Sequence, residues 1–473
     1  MENFFHSVYL EKELCKGCIT CIKRCPTQAI RVRDGKAVIN SKFCIDCGEC
    51  IRVCPHHAKH AKRDTLDILN KYDYTIALPA PTLYTQFNNI KDINLILNAL
   101  IDLGFDDVVE VSGAAELVSE KTKVYINEHR EQWPIISSAC PSIIRLIRVR
   151  FPNLIDHLLP IKPPIEIAAE MALAKAKEAT GLPRNKIGII FITPCPAKVT
   201  YAKEPIISDH SEVDGSIAIK DIYPLLLDSL KNVAEEYADQ PMPKLSTSGK
   251  IGIGWSCSGG ESNGIVCDSY LAADGIENVI KVLENLEDER FSDLSFIELN
   301  ACTGGCVGGS LNVENPYISH TKNKQLKKYL PATVSRFSDR STSIYTEDID
   351  FNWKNEVNYL PVFRIGDTIM EGITNMNSVE KICETFPGLD CGSCGAPTCR
   401  ALAEDIVRGE ASDTACIHIF KEYFNFLSLQ LSNLTHSSVN KSQASQSIHD
   451  LENNINNFFN NTASSNSSKD SEK

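Results

Sequence analysis

The sequence predicts an α/β core on parallel sheets, with a small α+β module before it and a small, mostly helical module after it. Three observations predict this. Between residues 64 and 345, short apolar runs alternate with helix-like stretches, and strand–helix alternation builds parallel sheets. Nineteen cysteines occur in 473 residues, and most fall into spaced groups rather than singly. Two of those groups lie outside the alternating region, within the first 54 residues and beyond residue 390. The length itself suggests about three domains.

Composition narrows the function classes. The hydrophobic fraction of 43% and charged fraction of 23% are those of an ordinary globular chain with a large core. No apolar run approaches the roughly 20 residues that a membrane helix needs. Residues 1–10 lack a basic stretch followed by an apolar one, so no secretory signal is read and a cytoplasmic location is expected. In such a chain, C-x-x-C spacing points to metal rather than disulfides. The net charge is −13, yet residues 1–63 hold 12 Lys and Arg against 6 Asp and Glu. That surplus of +6 leaves −19 on the remainder. A basic head on an acidic chain argues against nucleic-acid binding. It suits docking of ferredoxin or another acidic electron carrier, or else merely offsets negative clusters.

The head, residues 1–63, carries Cys15-x2-Cys18-x2-Cys21-x3-Cys25-Pro26 and then Cys44-x2-Cys47-x2-Cys50-x3-Cys54-Pro55. This is the one internal repeat found in the chain. The doubled pattern resembles bacterial two-cluster ferredoxins, in which the fourth thiolate of each [4Fe–4S] cluster comes from the other motif. The resemblance implies one cluster on Cys15, Cys18, Cys21 and Cys54, and another on Cys44, Cys47, Cys50 and Cys25. Zinc is the rival, disfavoured by the third cysteine and the x3-C-P ending.

In the core, residues 64–345, candidate strands are 74–80, 107–112, 133–138, 186–193, 250–255 and 296–299. Helix-like stretches include 90–104 and 163–180, the latter starting at Pro163–Pro164 and stopping at Gly181. Cys140, Cys195 and Cys302 each fall just past a candidate strand's C-terminal end, where open α/β sheets build their sites. Cys306 supplies a fourth sulfur. Four convergent cysteines suggest a [4Fe–4S] site. A zinc site would draw on local pairs, and only one pair here is local.

Three stretches carry these cysteines: S-S-A-C-P-S (137–142), T-P-C-P-A-K (193–198) and E-L-N-A-C-T-G-G-C-V-G-G-S-L-N (298–312). In this order they resemble the active-site signatures of [FeFe] hydrogenases, and the core is identified as a member of that family with its two-lobed fold. The resemblance implies an H-cluster, a cubane plus a two-iron subsite bearing CO and CN⁻. Cys140, Cys195, Cys302 and Cys306 would hold the cubane, and Cys306 would bridge to the subsite. Lys198 would hydrogen-bond one cyanide. Ala80, Pro81 and Thr82 match a loop over the other, where Ala80 and Thr82 would donate through backbone or hydroxyl. Glu298 matches the acid opening the third signature and reads as structural.

Departures from the family pattern bear on activity. Cysteine usually precedes the first cubane ligand and relays protons; here Ala139 stands there. General acid–base help of that kind contributes about 10²–10⁴-fold. Thr193 and Asn300 stand where methionine is usual, which changes the surroundings that tune a metal site. The resemblance therefore implies a slow, sensory-type relative for which H2 ⇌ 2H⁺ + 2e⁻ is the reaction class. A turnover-competent ferredoxin-linked hydrogenase with another proton route is the alternative, followed by a cubane-only electron-transfer or assembly protein. Maturation proteins would have to install the two-iron subsite.

Beyond a linker (346–376), residues 377–418 carry Cys391, Cys394, Cys399 and Cys416. The set resembles a small [4Fe–4S] module of electron-transfer and corrinoid-linked proteins, with zinc again the rival. Cys257, Cys267 and Cys383 read as buried small hydrophobes. Residues 419–459 keep an apolar 3-4 spacing that slips register at Ile448, Leu451, Ile455 and Phe458. An amphipathic helix packed on its own domain and a dimerising or partner-contacting coiled coil both fit. Residues 460–473 are Ser/Asn/Lys-rich and expected to be disordered. A signalling output is expected to lie on another chain or to be lacking.

Overall fold

The computed structural model describes residues 4–266, 269–291, 293–334, 349–362, 365–366 and 368–436. Cys267, the tail 460–473 and the register shift after residue 436 lie outside the described residues.

The N-terminal region runs β1 (Val8–Leu10), α1 (Thr20–Lys23), the paired strands β2 (Ile30–Arg33) and β3 (Lys36–Ile39), α2 (Glu49–Arg52) and β4 (Lys59–Ala61). Antiparallel pairing of β1 with β4 closes it. The core follows with β5 (Tyr74–Pro79), α3 (Ile93–Asp102), β6 (Asp107–Val108), α4 (Val111–Glu128), β7 (Ile135–Ile136), α5 (Pro141–Arg150), α6 (Pro164–Thr180), β8 (Ile187–Thr193), α7 (Pro196–Lys203), β9 (Gly215–Ala218) and α8 (Ile219–Glu236). It continues through α9 (Lys250–Gly254), α10 (Gly260–Ile265), β10 (Tyr270–Asp274), α11 (Ile276–Glu287), β11 (Phe296–Asn300) and α12 (Pro316–Lys327). The last described elements are α13 (Ile369–Thr385), α14 (Cys399–Val407) and α15 (Ile417–His436).

The chain divides into two compact units. The first comprises residues 1–16, 24–29 and 39–362; the second comprises residues 17–23, 30–38 and 363–473. The first unit holds two parallel sheets, ordered β6-β5-β8-β9 and β10-β11-β7. Every residue of β8 is buried, as a parallel strand covered on both faces requires. Ile96, Leu97, Leu100, Ile222 and Leu226 of α3 and α8 form one core with Ala77, Ile190, Ile192 and Ile217 of the strands. Helix α6 packs against β5 and β8. It ends at Gly181 with φ 68°, the left-handed conformation that a glycine stop supplies.

The candidate strand at 250–255 is instead helix α9. Its Ile–Gly alternation has a strand's period, but the glycines serve close packing. A Cβ on Gly252 would lie 2.0 Å from the Ser112 carbonyl oxygen on α4. The candidate strand at 107–112 shortens to two residues because α4 begins at Val111. That at 133–138 shortens to Ile135–Ile136 beside β11.

Candidate metal centre

Three strand ends build the centre. Cys195 lies two residues past β8, Cys302 two past β11, and Cys140 four past β7. Cys140 and Cys195 are also the N-cap residues of α5 and α7, each followed by a proline at the first helical position. Two helix N-termini therefore face the sulfurs, favouring negative charge there. Glycines bring the third signature in close. A Cβ on Gly309 would lie 2.2 Å from the Pro194 carbonyl oxygen, and one on Gly308 would lie 2.0 Å from that of Thr303.

The four sulfurs converge. Burial pushes the Cys195 thiol up to about 11, and the nearby Cys306 and Cys140 add to the rise. Burial also raises Cys302, with Cys195, Cys140 and Cys306 adding and Arg52 opposing. Cys306 is raised by burial against the pull of Lys198. Buried sulfurs that raise one another this way could all be thiolates only with a cation bound among them.

Beside the sulfurs is a cavity of about 60 Å³. Ala80, Pro81, Thr82, Ala139, Cys140, Lys198, Glu261, Glu298, Asn300 and Cys306 all line it. Burial would lower the Lys198 pKa, but the four cysteines, Cys306 foremost, hold it above the ordinary lysine value. The Thr82 hydroxyl is buried and has no hydrogen-bond partner. The Ala80 N–H already donates to the Ile192 carbonyl at 3.3 Å. Of the two residues expected to donate over the cavity, Thr82 is thus the one with a free donor. Asn300 lines the cavity and donates to Glu298 at 3.0 Å. Thr193 turns to the backbone of Cys195, its hydroxyl donating to that carbonyl at 3.0 Å.

Sequence reasoning missed a carboxylate pair. Glu261 accepts a 2.5 Å hydrogen bond from the Ser137 hydroxyl, which in turn accepts from the Ala139 N–H at 3.3 Å. Burial pushes Glu261 up to about 8, and the charge of Glu298 adds to the rise. Glu298 is also raised by burial, but Gly259, Ser262 and Asn300 all donate to it. Glu298, which accepts from more donors, keeps the charge and Glu261 keeps the proton. Glu261 stands in a G-G-E-S-N-G run with no periodic signal, so only the fold reveals it.

The head's second motif reaches the same centre. Burial raises Cys47, with Cys25, Cys50 and Cys302 adding, and burial raises Cys44, with Asp46, Cys25 and Cys47 adding. Arg52 donates to the Gly308 carbonyl at 2.5 Å. A Cβ on Gly48, at φ 76°, would lie 2.4 Å from the Ser310 hydroxyl. Asp46 pairs with Arg145 at 2.8 Å and His6 at 2.7 Å, and Ser142 donates to the Ile45 carbonyl at 3.2 Å. Of the residues expected to hold the first cluster, Cys54 of the second motif accepts from the Ala58 N–H at 3.3 Å, and Cys15 and Cys21 are buried. In the second unit, Cys391, Cys394, Cys399 and Cys416 line one small pocket. Cys383 is half-buried in the core of that unit, and Cys257 is buried near Cys306.

Family models match three parts of the chain. The model of the iron-only hydrogenase large subunit, C-terminal domain, matches residues 73–271 and 262–310, about half the chain. The chain belongs to the iron-only hydrogenase family. A 4Fe-4S dicluster domain model matches residues 7–55, and an Fe-S cluster model matches 386–418. The chain is 24% identical over 300 residues to the NADP-reducing hydrogenase subunit HndD of Solidesulfovibrio fructosivorans, covering 53% of this chain and 48% of that protein. It is 21% identical over 296 residues to iron hydrogenase 1 of Clostridium pasteurianum, covering 54% and 49%. It is 24% identical over 341 residues to the cytosolic Fe-S cluster assembly factor NAR1 of Candida dubliniensis, covering 60% and 57%. The chain thus spans about half the length of the curated relatives it matches. The [FeFe]-hydrogenase HydA1 structure from Chlamydomonas reinhardtii aligns at 15% identity and a TM-score of 0.47, covering 63% of this chain and 97% of that one. This family member is a hydrogenase-like iron–sulfur protein with parallel sheets. Among the described residues no helix is long and apolar enough to cross a membrane.

Proposed function

We propose that the chain binds hydrogen at an H-cluster and interconverts it slowly with protons and electrons, serving as a hydrogen or redox sensor. The carrying observation is the cavity that joins Cys306, Lys198 and the free Thr82 hydroxyl to Ala139. The donor set fits the group: four sulfurs for a cubane, and an ammonium and a hydroxyl for two anionic ligands. When bound, the two-iron subsite would supply the metal that takes up and splits hydrogen.

The chain's own residues do the rest. Lys198 Nζ holds and orients an anionic ligand in a dry pocket, where a charge-assisted hydrogen bond is strong. Pro81, Pro163, Ile165 and Trp255 line the cavity with apolar surface. Ala139 has no proton to give, so the relay usual at this position is missing. Glu261 holds a proton at its carboxyl one hydroxyl away, at Ser137. That distance supports slow rather than absent turnover. Cys44, Cys47, Cys50 and Cys25 would hold the ferredoxin-type cluster nearest the cubane, and an acidic electron carrier would exchange with the head.

Isotope exchange tests this reading. Protein matured with its two-iron subsite and kept under D2 in ordinary water should form HD, slowly. The similarity to NAR1 favours a second reading, a cubane-only protein, and a complete lack of exchange and of hydrogen uptake would support it instead.

A further inference from the structure

The second unit joins residues 17–23 and 30–38 of the head to the C-terminal module. The contact is built from specific groups. The Val32 N–H donates to the Gly395 carbonyl at 2.8 Å. Gly395 lies at φ 82°, and a Cβ there would meet the Val32 carbonyl oxygen at 2.1 Å. A Cβ on Gly392, at φ 78°, would lie 3.1 Å from Lys23 Cε and 3.7 Å from Ile19 Cβ. Lys23 Nζ donates to the Asp390 carbonyl, and to that of Pro397 at 2.8 Å. Arg33 reaches the Cys394 carbonyl at 3.5 Å. Asp405, 1% exposed, accepts from Arg31 at 2.7 and 3.0 Å and from Arg33 at 2.7 Å.

These contacts fall on the cluster loops themselves. Ile19 adjoins Cys18, and Gly392 adjoins Cys391. Asp405 sits on α14, the helix that Cys399 begins. A module attached only by its linker would have no use for a buried carboxylate shared by two arginines. Such charges are costly to bury and fix one geometry. Lys23, two residues from Cys21, puts a positive charge at the Asp390 carbonyl beside Cys391. That placement favours the more negative, reduced state of each cluster.

We propose that Lys23, Arg31, Arg33 and Asp405 seat the C-terminal cluster against the Cys18–Cys21 loop as an electron-transfer junction. In the step, one electron leaves the C-terminal cluster, which goes from its 1+ to its 2+ level. The same electron takes the cluster on Cys18 and Cys21 from 2+ to 1+. No bond breaks and no proton moves. A partner that reads or feeds the C-terminal cluster is thereby wired to the ferredoxin-like head. This rests on the reading of both cysteine sets as [4Fe–4S] sites.

The test is electron paramagnetic resonance of the reduced full-length protein, with iron content measured alongside. The cluster signals should show magnetic interaction that Cys394→Ser with Cys399→Ser removes, together with one cluster's worth of iron. Asp405→Arg should keep the iron and lose that interaction. If Asp405→Arg does not fold, Arg33→Gln, which removes only one of the arginine contacts, should weaken the interaction. Full iron with unchanged line shapes in Asp405→Arg or Arg33→Gln would overturn the junction alone. No loss of iron in the double cysteine variant would overturn the cluster reading and the junction with it.

Discussion

In the proposed reaction, Ala139 is the residue on which the rate would turn. It lines the cavity beside Cys140, and Ser137 links its N–H to Glu261 through two hydrogen bonds. Ala139→Cys restores a titratable group and should raise hydrogen evolution by about 10²-fold or more. An unchanged rate in matured protein would place the bottleneck elsewhere. Glu261 gives a second prediction. Its folded-state pKa of about 8 lies above the ordinary 4.5, so between those values the folded chain holds a proton that the unfolded chain has released. Stability should therefore fall as pH rises through that window. Glu261→Gln should flatten the fall in Tm between about pH 6 and pH 8, which thermal melts would reveal.

Among the elements, strand ends and glycine contacts decide the geometry. Cys140, Cys195 and Cys302 follow β7, β8 and β11 because parallel strands open their C-terminal ends to a shared site. That much was legible from apolar runs and cysteine positions. Helix α9 was not, because its Ile–Gly alternation imitates a strand, and the true cause is the approach of Gly252 to Ser112 in α4. Glu261 was illegible for a similar reason: its partners, Ser137 and Glu298, are 124 and 37 residues away in the chain. Gly309 tests how the signatures are held together. Gly309→Ala forces a methyl to within 2.2 Å of the Pro194 carbonyl oxygen, next to Cys195. It should cost about 1–3 kcal/mol and lower cubane occupancy. Iron content and denaturant unfolding would measure both, and full iron at unchanged stability would contradict the packing account.

At the scale of the whole molecule, the chain is a series of cysteine sets joined by short polar contacts. Within the first unit, the second ferredoxin motif is pinned to the hydrogenase signatures by Asp46–Arg145, Ser142–Ile45 and Arg52–Gly308. The Asp46 side chain is fully buried and that of Arg145 nearly so. Burial pulls the Arg145 pKa down and Asp46 opposes the pull. Arg145→Met leaves the buried Asp46 carboxylate with only His6 and the Val8 N–H and should cost up to about 3 kcal/mol. It should also slow electron delivery from the head to the cubane, as stopped-flow reduction would record. Unaltered delivery would mean that the pair holds the fold without setting the route.

The most direct test of the central claim is infrared spectroscopy of the matured protein, first under argon and then under hydrogen, with maturation verified on a control hydrogenase. Sharp CO and CN⁻ bands that shift under hydrogen are expected. Absence of those bands would leave a protein of cubanes alone, and the reading of Cys306, Lys198 and Thr82 as a two-iron cradle would fall.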